Sequence, residues 1–570
     1  MTKLISAGFQ WNGSADTSFE VLARSTRLSL ARATMHTGEI DYEGEEVSEE
    51  QLSVLAAATG TGVSSSAFAE SGMASAVNDL VAQIRDIYLS DDAPWIVGYS
   101  GGKDSTASLQ LVWMALESLE PDQRHKPVYV VTNDTLVENP VVVQWVKRSH
   151  EQIRVGAAEK GLPVEAHLLF PIVDETFWVN LIGRGYPAPN RRFRWCTERM
   201  KIHPTSRFIR DVVDKAGQVI IVLGARKAES AGRAARIAKY DEKSVREHLS
   251  PHNDLPAAMV YKPIVDWTND DVWMFLMQYP NPWGHNNKDL MTMYRSATAD
   301  EECPLVIDTT TPSCGNSRFG CWTCTVVSKD KSMSAMIHND AEREWMLPLL
   351  EIRNELAEAG REVRDFRRLN GKVSLFNGEP VAGPYTQKTR AHWLRRVLTA
   401  QTRVREHGPD TVRDIDLITE DELHEIRRIW VTDKHEHEDL LPKIYEEAVG
   451  QAFPGEKFND QFPFGSDALE ILREECFKSP GEESSSDLQY QLLRELLSVE
   501  HRHRTQVRRT GVRSAISDAF DRSGYESEDE AIVHIKALTR GREAAAEGNR
   551  ADYDDLIDEV KAGVPASETT

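Results

Sequence analysis

A predicted strand that runs straight into a glycine loop and then into a helix constrains the fold more than any other feature of the sequence. The apolar run Trp95–Tyr99 leads into Ser100-Gly-Gly-Lys-Asp-Ser-Thr106, and apolar residues then recur at helical spacing as far as Leu116. Strands and helices continue to alternate downstream, which predicts an α/β fold built on a parallel, doubly wound sheet. The other predicted elements are strands at 127–132, 164–170 and 219–223 and a helix at 140–160.

The chain is acidic, with 67 Lys plus Arg against 90 Asp plus Glu and a net charge of −23 over 570 residues. Because neutralisation of phosphates drives DNA affinity, this charge argues against tight DNA binding by the whole surface, while local basic patches can still contact nucleic acid. No segment approaches the ~18 apolar residues that a membrane helix needs. The polar N-terminus does not have the pattern of an export signal. A cytoplasmic protein without a membrane partner is therefore expected.

Changes in composition and in the periodicity of apolar residues along the chain predict four regions. A stretch of small and polar residues, 56–76, predicts a linker after a helical N-terminal region. After residue 330 the strand signals nearly vanish, and charged segments with helical periodicity replace them. The predicted regions are 1–76 for the N-terminal region and linker, 77–300 for the sheet domain, 301–330 for a cysteine segment and 331–570 for a mainly α-helical region.

The glycine loop has the composition of a phosphate-binding loop. Gly101 and Gly102 let the backbone turn without a Cβ and approach phosphate oxygens at a helix N-terminus, which favours anions. The loop is not a Walker A motif, because Lys103 is followed by Asp104 instead of Ser or Thr. Asp104 either orients the loop or binds Mg²⁺ through water. Further donors are the hydroxyl groups of Ser100, Ser105 and Thr106, and Lys103 adds a positive charge.

The segment between Arg184 and Arg210 is basic, in contrast to the acidic chain as a whole. It contains eight basic residues and a single acidic one, Glu198. Two interpretations remain open: an anion-binding wall for a nucleotide or substrate phosphate, or a solvated face that forms ion pairs. The basic residues are Arg184, Arg191, Arg192, Arg194, Arg199, Lys201, Arg207 and Arg210.

A polar loop, Gly224–Ser230, directly follows the fourth predicted strand. Ligands of parallel sheets bind beyond the carboxyl ends of the strands. We therefore expect Arg226 to face phosphate charge and Glu229 to orient a ligand. Further along, Lys262–Trp267 predicts a strand that enters a helix.

Four of the six cysteines are clustered with the spacing C-x10-C-x6-C-x2-C. Six cysteines in a chain of this length do not make a disulfide scaffold. Four thiolates in one short segment can hold one tetrahedral metal ion or one iron–sulfur cluster, and the spacing does not distinguish zinc from iron–sulfur. The clustered residues are Cys303, Cys314, Cys321 and Cys324, whereas Cys196 and Cys476 lie apart.

The loop sequence SGGKDS resembles the signature of the PP-loop ATP pyrophosphatases, which cleave ATP between the α and β phosphates. With the later motifs RWCTERMKIHP, GARKAES and KPIVDWTNDDVW, it is similar to the phosphoadenosine-phosphosulfate reductase branch of that family. The resemblance implies a Rossmann-like fold and makes 77–300 the PP-loop ATP pyrophosphatase domain. The residues that it places at the ATP site are Ser100, Gly101, Gly102, Ser105, Thr106, Gly224, Arg226 and Glu229.

The PP-loop motifs, the cysteine segment CGNSRFGCWTC and the long helical extension together resemble the DndC family of bacterial DNA phosphorothioation. SspD, of the related single-strand system, is a close alternative. This resemblance implies a sulfurtransferase that uses ATP, Mg²⁺ and a [4Fe–4S] cluster held by the four clustered cysteines. It also implies partners: a cysteine desulfurase as sulfur donor, the proteins DndD and DndE, and DNA presented through the complex.

The resemblance gives Lys103, Asp104, Cys196 and Arg226 as the expected catalytic residues. Cys196 has two interpretations. It is either a sulfur-carrying nucleophile, whose thiolate Arg194 and Arg199 favour, or a cluster ligand that replaces Cys303.

Two other function classes compete with sulfur transfer. The first is reduction of phosphoadenosine phosphosulfate, which ranks lower because the last cysteine, Cys476, is far from the C-terminus. The second is a scaffold protein without enzymatic activity, whose fold is stabilised by a structural zinc ion.

Three further segments are weaker candidates. Lys434–Glu438 could bind a metal, but an exposed helical charge run is the preferred interpretation. The basic stretches 388–405 and 501–513 are equally consistent with DNA contact and with a protein interface.

Overall fold

The computed structural model describes most of the chain between residues 66 and 546, and residues 62–375 and 380–570 belong to one compact unit. The predicted N-terminal region lies largely outside the described residues, and so do Cys303 and Cys314. No helix among the described residues is long and apolar enough to cross a membrane. The described ranges are 66–241, 246–252, 255–297, 319–376, 379–455, 466–478, 483–505, 509–525 and 527–546.

A six-stranded, mostly parallel sheet forms the centre of the first part of the chain, with the strand order β3-β2-β1-β4-β6-β5. Only β5 at the edge is antiparallel to its neighbour. This sheet, with the helices around it, confirms the predicted α/β doubly wound fold. The strands are β1 Trp95–Gly98, β2 Val128–Asn133, β3 Val164–Leu169, β4 Val219–Val222, β5 Leu249–Pro251 and β6 Ala258–Tyr261. A separate two-stranded sheet pairs β7 Leu375–Phe376 with β8 Glu379–Pro380.

Sixteen α-helices longer than one turn lie within the described ranges. Those of the sheet domain are α1 Met73–Leu89, α2 Lys103–Glu117, α3 Pro140–Glu159, α4 His203–Ala216, α5 Ala231–Asp241, α6 Asn269–Gln278 and α7 Asn287–Ser296. Those of the following region are α8 Lys331–Asn339, α9 Leu347–Glu358, α10 Gln387–His407, α11 Glu420–Arg428, α12 Leu440–Val449, α13 Ser466–Lys478, α14 Glu483–His503, α15 Val512–Ser523 and α16 Glu528–Ala546. The predicted helical C-terminal region is thus confirmed.

Two details differ from the sequence prediction. The strand expected at Lys262–Trp267 is wrong, because the strand ends at Tyr261 and the following residues turn before α6 begins. Thr268 caps that helix by accepting a hydrogen bond from the Asp271 N–H. In addition, α1 begins at Met73, so the end of the stretch predicted as a linker is helical.

The sheet is covered on both faces, which explains its continuous apolar strands. Trp95 and Val97 pack into one hydrophobic cluster, whereas Ile96 between them packs into another. Successive side chains of a strand point to opposite faces, so β1 contributes to both layers. Because α2 is buried on nearly all sides, its N-terminus and the loop before it are held firmly against the sheet.

A second hydrophobic core joins the helical region to the sheet domain. It contains Trp178 and Trp195, from the chain between β3 and α4, together with Trp322 from the cysteine segment. These side chains belong to the same cluster as Trp393 and Leu394 of α10. One continuous core therefore lies on both sides of the expected boundary at residue 330.

The segment Lys434–Glu438 corrects a prediction. It is a loop between a π-helical turn, Ile429–Asp433, and α12, and Glu436 and His437 are buried. Glu436 forms a buried ion pair with Arg390, and Glu438 lies 2.8 Å from Arg494 of α14. The expected exposed helical charge run is wrong, because the segment is a loop whose acidic side chains form ion pairs with α10 and α14.

Candidate active site

A cavity of about 820 Å³ lies at the carboxyl edge of the sheet, where the strand order reverses at β1. The glycine loop forms one end of it, which we call the loop end. Glu138 and Lys201 line another part of it, next to Cys321, and we call this part the cysteine end. The charged lining residues include Lys103, Asp104, Asp134, Glu138, Lys201, Arg226, Glu229 and Arg233.

Gly101 has no room for a side chain. Its φ of 72° is in the left-handed region, and a Cβ would lie 2.8 Å from Val146 Cγ2. The indole Nε1 of Trp145 donates a hydrogen bond of 3.0 Å to the Gly101 carbonyl oxygen, which fixes the orientation of this peptide. The turn therefore depends on glycine and on α3, which supplies Trp145.

Ser105 holds the loop from behind. Its Oγ accepts a hydrogen bond from the Ser100 N–H at 3.1 Å and donates one to the Gly102 carbonyl oxygen at 3.0 Å. Gly102 is the N-cap of α2, so the positive end of the helix dipole lies at the cavity. Ser100, Gly101 and Gly102 line the cavity, whereas Ser105 and Thr106 are buried behind them.

Asp104 is held by two cations. Its carboxylate lies 2.7 Å from Arg226 Nε and 3.1 Å from Lys103 Nζ. Arg226 is only 4% exposed, and burial lowers the pKa of Lys103. Of the two interpretations of Asp104, this geometry favours orientation of the loop, because the carboxylate already has two positive partners.

A different cavity carboxylate has the chemistry of a Mg²⁺ ligand. Asp134 follows β2 and forms no ion pair with any residue that the structure describes. Its Oδ1 accepts a hydrogen bond from the Leu136 N–H, and burial raises its pKa. An oxygen ligand of this kind suits Mg²⁺, which otherwise keeps water and phosphate oxygens.

The polar loop after β4 packs tightly onto α2. A Cβ at Gly224 would lie 2.7 Å from the Asp104 carbonyl oxygen, so only glycine allows this approach. Glu229 accepts a hydrogen bond from the Arg226 N–H at 3.0 Å and pairs with Arg233. Arg226 and Glu229 line the cavity, and Gly224 lets this loop approach the backbone of α2.

At the cysteine end, side chains from distant segments meet. The Cys321 sulfur lies 3.3 Å from Thr135 Oγ1 and 3.6 Å from Glu138 Oε1. Lys201 Nζ lies 3.2 Å from the same Glu138 oxygen. The Trp322 N–H donates to the Val137 carbonyl oxygen at 2.9 Å, which joins the cysteine segment to the chain after β2.

Cys196 lies near Cys321 and Cys324, but its thiol is not activated in the way that the sequence predicts. Burial raises its pKa, and the neighbouring Cys324 raises it further. The Arg199 guanidinium instead bonds the side chains of Asn180 and Tyr186, and Arg194 is exposed. The expected stabilisation of a thiolate by these arginines is therefore wrong.

The cysteine end has donors that suit a metal centre, although the predicted four-cysteine site is only partly described. Cys321 and Cys324 share one turn, in which the Cys324 N–H donates to the Cys321 carbonyl oxygen at 3.0 Å. Among the described residues, no group of three or more His, Cys, Asp or Glu side chains is arranged to hold a metal ion. Cys303 and Cys314 lie outside those residues, so the four-cysteine ligand set stays a prediction.

The basic segment is distributed over several environments. Arg184 pairs with Asp174, and Arg207 pairs with Glu175 at 3.1 Å. Lys201 is the member that lines the cavity, and the charge of the nearby Cys321 raises its pKa. The segment thus combines both interpretations: one cation faces the cavity, and others form ion pairs.

Sequence reasoning missed several contributors to the cavity. Asp134 and Glu138 follow the carboxyl end of β2, so their position at the carboxyl edge of the sheet was available from the predicted sheet. By contrast, the contact of the Tyr294 hydroxyl with the glycine loop cannot be inferred in this way, because Tyr294 belongs to α7, which is distant in sequence. Its hydroxyl lies 3.4 Å from the Lys103 N–H.

Comparisons with known proteins agree with this architecture. Residues 94–327 match the family model of the phosphoadenosine phosphosulfate reductase domain. An uncharacterized protein from Methanocaldococcus jannaschii is 27% identical over 203 residues, which are 35% of this chain and 35% of that protein. The chain thus matches about a third of the length of this relative.

Among solved structures, the phosphoadenylyl-sulfate reductase from Candida auris, in a phosphate complex, is 13% identical. The match covers 43% of this chain and 92% of that chain, with a TM-score of 0.23. Residues 94–327, which contain the sheet and the glycine loop, are therefore similar to the phosphoadenosine phosphosulfate reductase domain.

Proposed function

We propose that this chain is an ATP-dependent sulfurtransferase of bacterial DNA phosphorothioate modification, similar to the DndC family. The observation that carries the proposal is the shared cavity, which is lined both by a phosphate-type loop and by Glu138, the carboxylate in contact with Cys321. Nucleotide activation and sulfur delivery require these two kinds of chemistry to act on the same acceptor phosphate group.

In the first step, the loop end binds the β and γ phosphates of ATP. The backbone of Gly101 and Gly102 and the N-terminus of α2 receive the anion, and Lys103 and Arg226 neutralise charge. A non-bridging oxygen of a DNA phosphate attacks the α phosphorus, and pyrophosphate leaves. When bound, Mg²⁺ would supply further neutralisation of the phosphates, with Asp134 as its protein ligand.

In the second step, the terminal sulfur of a persulfide attacks the activated DNA phosphorus. AMP leaves with the former non-bridging oxygen, and phosphorus is then linked through two sulfurs to a cysteine. A second thiolate attacks the cysteine sulfur, which releases the DNA phosphorothioate and leaves a disulfide. A dithiol reductant restores the two thiols with two electrons and two protons. Cys196 is the proposed carrier of the persulfide.

The [4Fe–4S] cluster, when bound, would supply electron-transfer chemistry at the cysteine end. Cys321 and Cys324 would hold it with Cys303 and Cys314, or with Cys196 in place of Cys303. The proposal includes a cysteine desulfurase as persulfide donor, DndD and DndE as partners, and DNA presented through their complex.

Pyrophosphate release from ATP tests the proposal directly. Lys103→Met removes a buried cation from the loop end and should lower the rate at least about 100-fold. Lys215→Met is the matched control, because Lys215 is exposed in the last turn of α4. Release that is equal in both variants would exclude the glycine loop as the site of ATP cleavage.

A second candidate function is reduction of phosphoadenosine phosphosulfate, which the family match over residues 94–327 favours. In that case the wild-type chain with a dithiol reductant would form sulfite from the phosphosulfate. Sulfite formation without pyrophosphate release from ATP would select this reductase over the sulfurtransferase.

A further inference from the structure

A short loop beside the cysteines combines three arginines with one exposed aromatic ring. We call residues 190–194, Asn-Arg-Arg-Phe-Arg, the Arg–Phe loop. All three arginine side chains are exposed, and Phe193 is 43% exposed. Arg191 and Arg194 form no ion pair with any described residue. In a chain of net charge −23, cations that pair with no carboxylate in the described ranges are available to an anionic ligand.

The basic helix α10 differs in this respect. Arg395 lies 3.2 Å from Glu447, Arg396 lies 2.9 Å from Glu355, and Arg405 lies 2.6 Å from Asp416. In the basic stretch 501–513, Arg509 likewise pairs with Glu500. A ligand phosphate at these positions must compete with a carboxylate, whereas no such competition is seen for Arg191 and Arg194.

The Arg–Phe loop is also organised in advance. The Asn190 Oδ1 accepts hydrogen bonds from the N–H groups of Arg192 and Phe193, each at 2.9 Å. Just before the loop, the Pro189 carbonyl oxygen accepts a hydrogen bond of 2.5 Å from Thr325, the residue after Cys324. The loop is therefore fixed directly to the cysteine segment, and binding does not have to order it first.

We infer that the Arg–Phe loop binds single-stranded DNA, with its arginines on backbone phosphates and Phe193 stacked on an unpaired base. The inference rests on the proposed function, because the strand bound by this loop would be the DNA substrate of the proposed sulfurtransferase. Arginine and an aromatic ring are the side chains that bind a strand without regard to sequence, by charge and by stacking. Cys196 is two residues from Arg194, so a strand held on this loop runs past the thiols.

Fluorescence anisotropy with a labelled single strand, and with a duplex of the same sequence, measures the effect on the full chain. We expect R191A/R192A/R194A to bind the single strand at least about tenfold more weakly at low salt. The slope of log affinity against log salt should become less negative by about 2, since three phosphate contacts on a single strand each contribute about 0.7. The control R395A/R403A/R413A removes the same charge from exposed arginines elsewhere.

Phe193→Ala tests the stacking contact separately. We expect about tenfold weaker binding of the single strand with an unchanged salt slope, and Phe193→Trp should restore the affinity. Phe520→Ala is the matched control, because Phe520 is an exposed phenylalanine of α15. Circular dichroism of each variant confirms that the chain is folded.

Three results would overturn the inference. The first is unchanged DNA affinity in R191A/R192A/R194A, which would leave a protein partner as the occupant of the loop. The second is an equal loss of affinity in the control R395A/R403A/R413A. The third is weaker ATP binding without weaker DNA binding, which would assign the arginines to the nucleotide. Failure of the wild-type chain to release pyrophosphate would instead refute the proposed function, since DNA affinity is measured without ATP.

Discussion

The two ends of the cavity are built in different ways. At the loop end, Ser100–Asp104 forms a continuous segment, and Ser105 in the same stretch supplies its hydrogen bonds. At the cysteine end, Thr135, Lys201 and Cys321 come from three separate parts of the chain. The loop end is a local motif placed by the sheet, whereas the cysteine end exists only after distant segments have packed together.

This difference has a consequence for stability. The loop end depends on one buried ion network and on backbone geometry, so a single substitution there should disturb both folding and nucleotide chemistry. The cysteine end depends on a hydrophobic core that includes Trp195 and Trp322, so its sulfur chemistry should be separable from the fold. The following substitutions test that contrast.

The largest expected effect follows from the proposed [4Fe–4S] cluster, whose iron should be lost when a ligand cysteine is replaced. Cys321→Ser, purified without oxygen, should lose nearly all iron and acid-labile sulfide, because a serine hydroxyl is a poor substitute for a thiolate ligand. Cys476→Ser is the control, since Cys476 is buried in α13, away from the cavity. Full iron content in the Cys321→Ser protein would show that this end carries no cluster.

The same assay separates the two interpretations of Cys196. If Cys196→Ser keeps its iron and loses sulfur transfer, Cys196 is the carrier. If it loses its iron as Cys321→Ser does, Cys196 is a ligand.

At the loop end, Arg226→Met should lower the free energy of unfolding by about 3 kcal/mol, because it leaves the half-buried Asp104 with Lys103 as its remaining cation. Arg233→Met provides the comparison, since its ion pair with Glu229 is 40% exposed on the arginine side and should contribute less than about 1 kcal/mol. Urea denaturation measures both variants. Equal losses of unfolding free energy in the two variants would mean that the ion pairs of Asp104 contribute no more to stability than an exposed ion pair does.

A smaller effect, dependent on pH, is expected at His150, which lies behind the loop end. Its Nε2 lies 2.7 Å from Thr132 Oγ1, and burial lowers its pKa from 6.5 to about 4. As the pH falls, His150 therefore binds a proton near pH 6.5 in the unfolded chain but only near pH 4 in the folded chain. This contribution to stability is complete above pH 6.5 and is lost as the pH falls towards 4.

Between pH 7.5 and 5, His150→Gln should accordingly lose about 2 kcal/mol less unfolding free energy than the wild-type chain. His125→Gln is the control, because the His125 side chain is 52% exposed. If the unfolding free energies of His150→Gln and of the wild-type chain change with pH in parallel, the lowered pKa of His150 is contradicted.

How much of this site the sequence predicts depends on how local each part is. The strands, the glycine loop and the position of Arg226 follow from apolar periodicity and from the rule that parallel strands present their carboxyl ends together. The environment of Cys196 did not follow, because Arg199 is near in sequence but bonds Asn180 and Tyr186. Likewise, the charges of Lys434–Glu438 have the pattern of a solvated helix, and only their ion pairs with α10 and α14 show that they are buried.

Those ion pairs bear on how the protein can be shortened. Glu438 forms an ion pair with Arg494 of α14 and accepts a hydrogen bond from the Tyr490 hydroxyl of the same helix. The His437 ring lies 2.7 Å from Ser498, also in α14. A chain that stops after α12 would leave the Glu438 carboxylate and the His437 imidazole without these partners. Truncation of the final helices should therefore yield an insoluble or partly unfolded protein, and domain dissection should keep α14 attached.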